Sequence, residues 1–323
     1  MIDYQSIKKA SERIESYILK TPVLYSDHFS EQTGKHIYFK AENLQRTGSF
    51  KIRGAANFAL VKEVGSSNRI ELVTASSGNH GLGVACMASL IKTACTVVVP
   101  ETVSRSKIQG IRKFGSKIIK FGNSSDERKE KAIKLAKDQK ALFVHSHDDE
   151  LVICGQGTAG IEILQQLPEV DTIVVPVGGG GLISGISTVA KHLKPSIRII
   201  GVEPEKGPSM RFSLACGKRS SLPEIPSTIA DGLRGQTPGF LAFDICTKHV
   251  DEILTVTEES IMKAVYDLAG KNKLVTEPSG AVVAAALMSE GINIMGSRIC
   301  ALISGGNIDD DLFVRIITQR STG

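Results

Sequence analysis

No stretch of this 323-residue chain reaches the ~18 consecutive apolar residues that a membrane span needs. The N-terminus, MIDYQSIKKASERIESY, is polar with helical spacing and lacks the charged-then-apolar order of a secretion signal. Six cysteines are present (Cys86, Cys95, Cys154, Cys216, Cys246, Cys300), but there is no CxxC pair, and most sit inside apolar runs as buried, reduced thiols would. Low-complexity linkers and repeats of fixed period are also missing. So is a basic stripe: lysines and arginines are dispersed among acids, and the net charge of +5 serves solubility rather than nucleic-acid binding. These absences leave a cytoplasmic protein with neither a membrane nor a nucleic acid as partner. At 41% hydrophobic and 23% charged residues the composition is ordinary for a globular chain, long enough for one large domain or two medium ones.

Short β-branched runs alternate with longer helical ones. Strands are expected at 37–41, 71–74, 95–99, 117–121, 142–145, 172–177, 197–202 and 299–303, and helices at 80–92, 104–114, 126–139, 157–167 and 183–193. Runs such as TVVVP and TIVVPV are apolar without alternation, as in parallel strands covered on both faces. The pattern predicts an α/β fold. One block of βα units, 64–148, is read as a small inserted domain; residues 1–63 and 149–323 then form the large domain. Ligands in such sheets bind beyond the carboxyl ends of strands, so the loops there carry the functional argument.

Four glycines, Gly178 to Gly181, follow the strand in VVPVGGGGLISG and open a helix that begins near Leu182. Backbone N–H groups at such a turn approach an anion closely, and the helix N-terminus adds partial positive charge. A dinucleotide is a weak reading, because the third glycine of GxGxxG is absent, although Glu203 stands where a ribose clamp would. In GSFKIRGA, Lys51 lies beside Phe50, whose aromatic surface would favour a neutral amine. A surface lysine is the plain alternative, but three further loops accompany it. ASSGNHG (75–81) offers Ser76, Ser77, Asn79 and His80 at a helix start, suited to a carboxylate; either serine could instead merely cap that helix. ISGGN (303–307) presents Ser304, an uncharged donor for a ring nitrogen, and TEPSGA places Glu277 before a proline-led helix. Together they describe a site for a flat aldehyde cofactor bearing a phosphate.

Residues 48–54, 75–81, 155–158 (GQGT), 178–182, 203–204 and 304–307 resemble, in order and over nearly the whole chain, the pyridoxal-phosphate enzymes of fold type II, in the serine/threonine dehydratase and serine racemase group. The resemblance implies a tryptophan synthase β-like α/β fold, with two domains that each hold a twisted, mostly parallel sheet flanked by helices and the cofactor between them. It implies that Lys51 binds pyridoxal 5'-phosphate as a Schiff base with Phe50 near the ring. Asn79 would contact the ring hydroxyl, Gly178 to Leu182 the phosphate, and Ser304 the pyridine nitrogen, with Glu277 also at the cofactor. Ser76, Ser77, Asn79 and His80 would hold the substrate, a β-hydroxy amino acid, and a homodimer is expected.

The chemistry expected is α,β-elimination of L-threonine or L-serine to a 2-oxo acid and ammonia, with Lys51 and Ser77 as catalytic groups. Serine racemisation is the alternative that Ser77 keeps open, since the racemases carry a serine there; a 3-hydroxyaspartate dehydratase is a further variant. A nicotinamide-dependent oxidoreductase and a non-catalytic binding module are the rivals from other classes. No metal site is expected. The racemase-type cation site matches Glu203 and Gly207, but Ser209 stands at the position of its aspartate, which weakens it. HSHDDE (145–150) reads as a solvated polar loop. Arg128 or Lys129 could help hold the substrate carboxylate if their helix faces the cleft. The ending DDDLFVRIITQRSTG leaves no room for an amino-acid-sensing domain, so feedback through one is not expected.

Overall fold

A computed structural model describes residues 1–64, 71–76, 78–103, 105–122 and 124–318. Helix α1 (Tyr4–Ile14) leads to strand β1 (Val23–Tyr25), α2 (Asp27–Thr33) and β2 (His36–Ala41); a 3₁₀ turn (Glu42–Leu44) separates β2 from α3 (Lys51–Val64). Next come β3 (Leu72–Ala75), α4 (Asn79–Leu90), β4 (Cys95–Val99), α5 (Arg105–Arg112), β5 (Lys117–Lys120), α6 (Ser125–Asp138) and β6 (Leu142–Phe143). The chain continues through α7 (Glu150–Gln166), β7 (Thr172–Pro176), α8 (Gly181–Leu193), β8 (Arg198–Pro204), α9 (Ser209–Ala215) and a second 3₁₀ turn (Asp231–Leu233). It closes with α10 (Phe240–His249), β9 (Glu252–Val256), α11 (Glu258–Asn272), α12 (Pro278–Met288), β10 (Arg298–Ile303) and α13 (Asp310–Thr318).

The strands form two sheets. One has the order β1-β2-β10-β7-β8-β9, parallel except for the β1–β2 pair; the other, β5-β4-β3-β6, is wholly parallel. Each of the eight expected strands is present. Two were missed: β1, three residues long, and β9, whose EILTV sits half covered at the sheet edge.

Burial explains the helices better than propensity does. Helix α12, PSGAVVAAALM, is apolar on every side and so lies fully enclosed against β10, β7 and β8; proline at its first position starts it without wasting a donor. Helix α7 begins at Glu150, seven residues earlier than its glycines suggest, with Asp149 capping the N–H groups of Leu151 and Val152. Glycine costs about 1 kcal/mol in a helix interior, but here it lets neighbouring backbones touch. A Cβ on Gly155 would stand 2.5 Å from the Arg53 carbonyl oxygen, and one on Gly185 would stand 2.5 Å from the Gly157 nitrogen. The end of α3 (Ala55–Leu60) shares a core with α4 and β4, so this helix runs from one sheet to the flank of the other.

Because the atoms facing Gly185 are backbone on both sides, Gly185→Ala should destabilise the fold by about 1–3 kcal/mol, read as a lower urea midpoint with an unchanged far-UV spectrum of the folded state.

Candidate active site

Lys51 is the first residue of α3, not part of a loop. Its amine donates to the carbonyl oxygen of Ser146 at 2.8 Å and lies 5.1 Å from the centre of the Phe50 ring. Removal from water pushes its pKa down to about 8, against the pull of the Glu277 carboxyl. An appreciable fraction of neutral amine therefore exists near neutral pH.

Three chain segments lock together around it. The segment before α3 meets the one after β10: Phe50 N–H donates to the Ser304 carbonyl at 3.1 Å, Gly306 N–H to the Gly48 carbonyl at 2.8 Å, and Ser49 bridges Gly305. Glu277, just before α12, donates its N–H to the Gly305 carbonyl at 3.1 Å. Asn79, at the start of α4, donates from Nδ2 to Glu277 Oε1 at 2.5 Å and accepts from Asn307 Nδ2 at 2.7 Å. Burial, then the proximity of Asp231, pushes Glu277 up to about 8, so this carboxyl is largely protonated at neutral pH. The Ser304 hydroxyl is buried, with the Ser279 carbonyl 3.5 Å away.

The glycine loop lies one residue from the amine's partner. His147, next to Ser146, packs its ring against Gly179, where a Cβ would overlap the ring, and its carbonyl against Gly181. Gly180 adopts φ +90°, a conformation suited to glycine, with Ala242 and Met210 beside it. Side chains at these positions would collide with protein. The N–H groups of Gly178 to Leu182 meet no acceptor among the described residues, and they stand at the N-terminus of α8. That is an anion cradle.

The loop 145–150 is half-buried, with Glu150 exposed, and its polar side chains are engaged rather than free in solvent. Asp148 accepts from the N–H groups of Phe240 and Leu241, Asp149 caps α7, and His145 Nδ1 accepts from Asp148 N–H at 2.8 Å. Burial, then the nearby Lys129 of α6, brings His145 down to about 4. Burial holds His147 well below the ordinary imidazole value. The sequence pattern alone read Ser146 and His147 as part of a solvated loop. The signal available was position, since they follow a strand of the small sheet just as the other site loops follow theirs.

The remaining sequence candidates fall as follows. Among the described residues no side chain caps α4; the Ser76 hydroxyl accepts from Gly78 N–H at 3.3 Å. Ser77 lies outside the described residues. His80 is turned inward, with Nε2 3.1 Å from the Val144 carbonyl, and burial lowers it to about 3. Glu203 is buried and accepts from the N–H groups of Met210 and Arg211, both at 2.9 Å, closing the start of α9. Among the described residues no group of three or more His, Cys, Asp or Glu is placed to hold a metal, and no helix is long and apolar enough to cross a membrane.

A parallel α/β architecture with an amine of lowered pKa beside an anion cradle at the strand ends defines an enzyme of the carbonyl-capturing class. The chain belongs to the pyridoxal-phosphate dependent enzyme family, whose model matches residues 14–305. It is 42% identical over 309 residues to an L-threonine ammonia-lyase of Geobacter sulfurreducens, covering 96% of this chain and 76% of the relative. It is similar to the solved structure of a T.th. threonine deaminase (TM-score 0.89, 38% identity, 95% of this chain and 99% of that one). Maize serine racemase is another structural relative (TM-score 0.92, 36% identity, 97% and 96%). The fold is that of the fold type II pyridoxal-phosphate enzymes, and pyridoxal phosphate is the cofactor. The residues present fit it: an amine for the aldehyde, five N–H groups with no acceptor among the described residues for the phosphate, and a buried hydroxyl at Ser304.

Glu277 has its pKa raised on folding, so it contributes stability that is whole below the ordinary carboxylate range and is lost as the pH rises through about 8. Glu277→Gln keeps an acceptor for Asn79 but cannot ionise. The unfolding free energy of the apo-protein, from urea titrations, should therefore fall from pH 5 to pH 9 by at least about 1.4 kcal/mol more in wild type than in the variant.

Proposed function

We propose that this enzyme is an L-threonine/L-serine ammonia-lyase that forms a 2-oxo acid and ammonia by α,β-elimination. The observation that carries the reading is the Lys51 amine, brought down to about 8 and held against Ser146 one residue from the part of the loop that packs on the glycines. The relatives named for threonine supply the substrate class.

Lys51 would hold the aldehyde carbon, the N–H groups of Gly178 to Leu182 the phosphate, Asn79 the ring hydroxyl and Ser304 the pyridine nitrogen, with Phe50 and Glu277 alongside. When bound, the cofactor supplies a conjugated ring that takes up the electron pair left on the substrate α-carbon. The N-terminus of α4, with Ser76 and Asn79, would receive the substrate carboxylate; His80, whose ring is turned inward to the Val144 carbonyl, could offer only its backbone N–H. The Lys51 amine would be the base for the α-proton, and its lowered pKa keeps enough of it neutral for that role. Ser304, an uncharged hydroxyl, would bond the pyridine nitrogen without stabilising a proton there as a carboxylate would. Ser77 belongs to the proposal as a second catalytic group on its place in the sequence alone.

The domain division into 64–148 against 1–63 with 149–323 is part of the same proposal. It is supported by the four-stranded sheet, whose strands all fall between Leu72 and Phe143. Assembly as a homodimer is proposed on the resemblance alone and a cytoplasmic location on the composition, and sedimentation of the purified chain tests the assembly.

Incubated with L-threonine and L-serine, the holoenzyme should release 2-oxo acid from both. D-serine appearing with negligible 2-oxo acid would replace elimination by racemisation. Lys51→Ala should lower the rate by about 10²–10⁴-fold and abolish the near-visible absorption of the bound cofactor.

A further inference from the structure

Beneath the site lies a closed cluster of four charges. Arg53 donates from Nε and Nη2 to Glu42 at 2.8 and 2.7 Å, and from Nη1 and Nη2 to Glu162 at 2.7 and 2.9 Å. Lys40 donates to Glu162 at 2.6 Å and to the Thr21 carbonyl at 2.6 Å; Thr158 accepts from Arg53 at 3.1 Å, and Thr21 donates to Glu42 at 2.5 Å. Lys40, Glu42 and Arg53 have no solvent exposure and Glu162 has 7%, so two cations and two anions balance out of reach of water. Apolar side chains of similar volume often stabilise a core as well as or better than such a group does. What the charges add is direction: a guanidinium fork that binds two carboxylates has one geometry, which apolar packing does not impose.

The four residues come from four places: the end of β2, the 3₁₀ turn after it, the first turn of α3, and α7. Two of those elements carry the reacting amine and lead away from its partner. Lys51 is two residues before Arg53, and α7 starts four residues after Ser146. Gly155 lets α7 touch the Arg53 backbone itself. A slip of α3 along α7 would be felt at once in the 2.8 Å bond between Lys51 and Ser146.

We propose that Arg53, through its fork to Glu42 and Glu162, is the positioning residue of the active site, setting α3 against α7 so that the Lys51 amine is presented to the cofactor aldehyde. The inference rests on the reading of Lys51 as the cofactor amine. Arg53 touches neither cofactor nor substrate and acts through Lys51 alone. Loosening it lets water reach the amine, which then titrates nearer an ordinary lysine; each unit of rise in pKa removes about tenfold of the neutral form near neutral pH.

The test uses the apo-protein and pyridoxal phosphate, with capture on Lys51 trapped by borohydride, located by peptide mass and timed across pH. Two variants are compared with wild type: Arg53→Lys keeps the charge without the fork, and Arg53→Met with Glu42→Leu keeps neutrality and the Lys40–Glu162 pair. Both should fold with wild-type circular dichroism, capture at least about tenfold more slowly at about pH 7.5, and show a pH midpoint displaced upward. Equal rates and an equal midpoint in either folded variant would overturn the positioning role. So would failure of both variants to fold, which would make the cluster a prop of the core. Wild type that captures nothing on Lys51 would instead defeat the cofactor reading beneath it.

Discussion

Partial withdrawal of the Lys51 amine from water is the constraint on which the candidate site depends. An ammonium in bulk water is not a nucleophile at neutral pH, and loss of hydration without a compensating anion is one way to free the neutral amine. The structure withholds that anion: the carbonyl of Ser146 is a neutral acceptor, and Glu277, the acid nearby, is itself pushed towards its protonated form by burial. Both groups shift in the direction that removes charge, so each relieves the other of a strong ion pair that would return the lysine to its ordinary value.

Holding an amine in this way demands backbone elements that meet at very short range. Gly155, Gly157 and Gly185 run through the contacts of α3 with α7 and of α7 with α8, and each faces backbone atoms where a methyl group would not fit. The same helices bear Lys51, follow Ser146 and begin at the glycine cradle. Close helix packing and the placement of Lys51 are therefore one piece of construction, with the charged cluster around Arg53 between α3 and α7.

The two sheets converge on the cleft through their strand ends. Asn79 comes from the small sheet, Glu277 and Asn307 from the large one, and their side chains form an unbroken chain of hydrogen bonds across the gap. Lys107 of α5 adds an ion pair to Asp231 at 2.8 Å on the opposite wall. Contacts of this kind are polar and directional, so they align the walls without welding them as an apolar interface would.

Much of this was legible in the chain itself. The β-branched runs marked eight strands, because side chains covered on both faces must be apolar whatever their neighbours are. The tetraglycine loop, the SFK segment and Ser304 stood out because each is an uncommon local chemistry at a strand end. The start of α7 was misplaced, since the glycines of GQGT argue against a helix until the backbones they admit are known. His147 and Asp148 were taken for solvated residues, since polarity alone does not distinguish a loop tip from a cleft wall. The sequence by itself determined the architecture and the kinds of group available, through periodicity and local backbone preference. Only the tertiary structure decided that Lys51 finds Ser146, that Arg53 finds Glu162 and that Glu277 loses its charge, because proximity and dehydration arise from how distant helices pack and not from any neighbour along the chain.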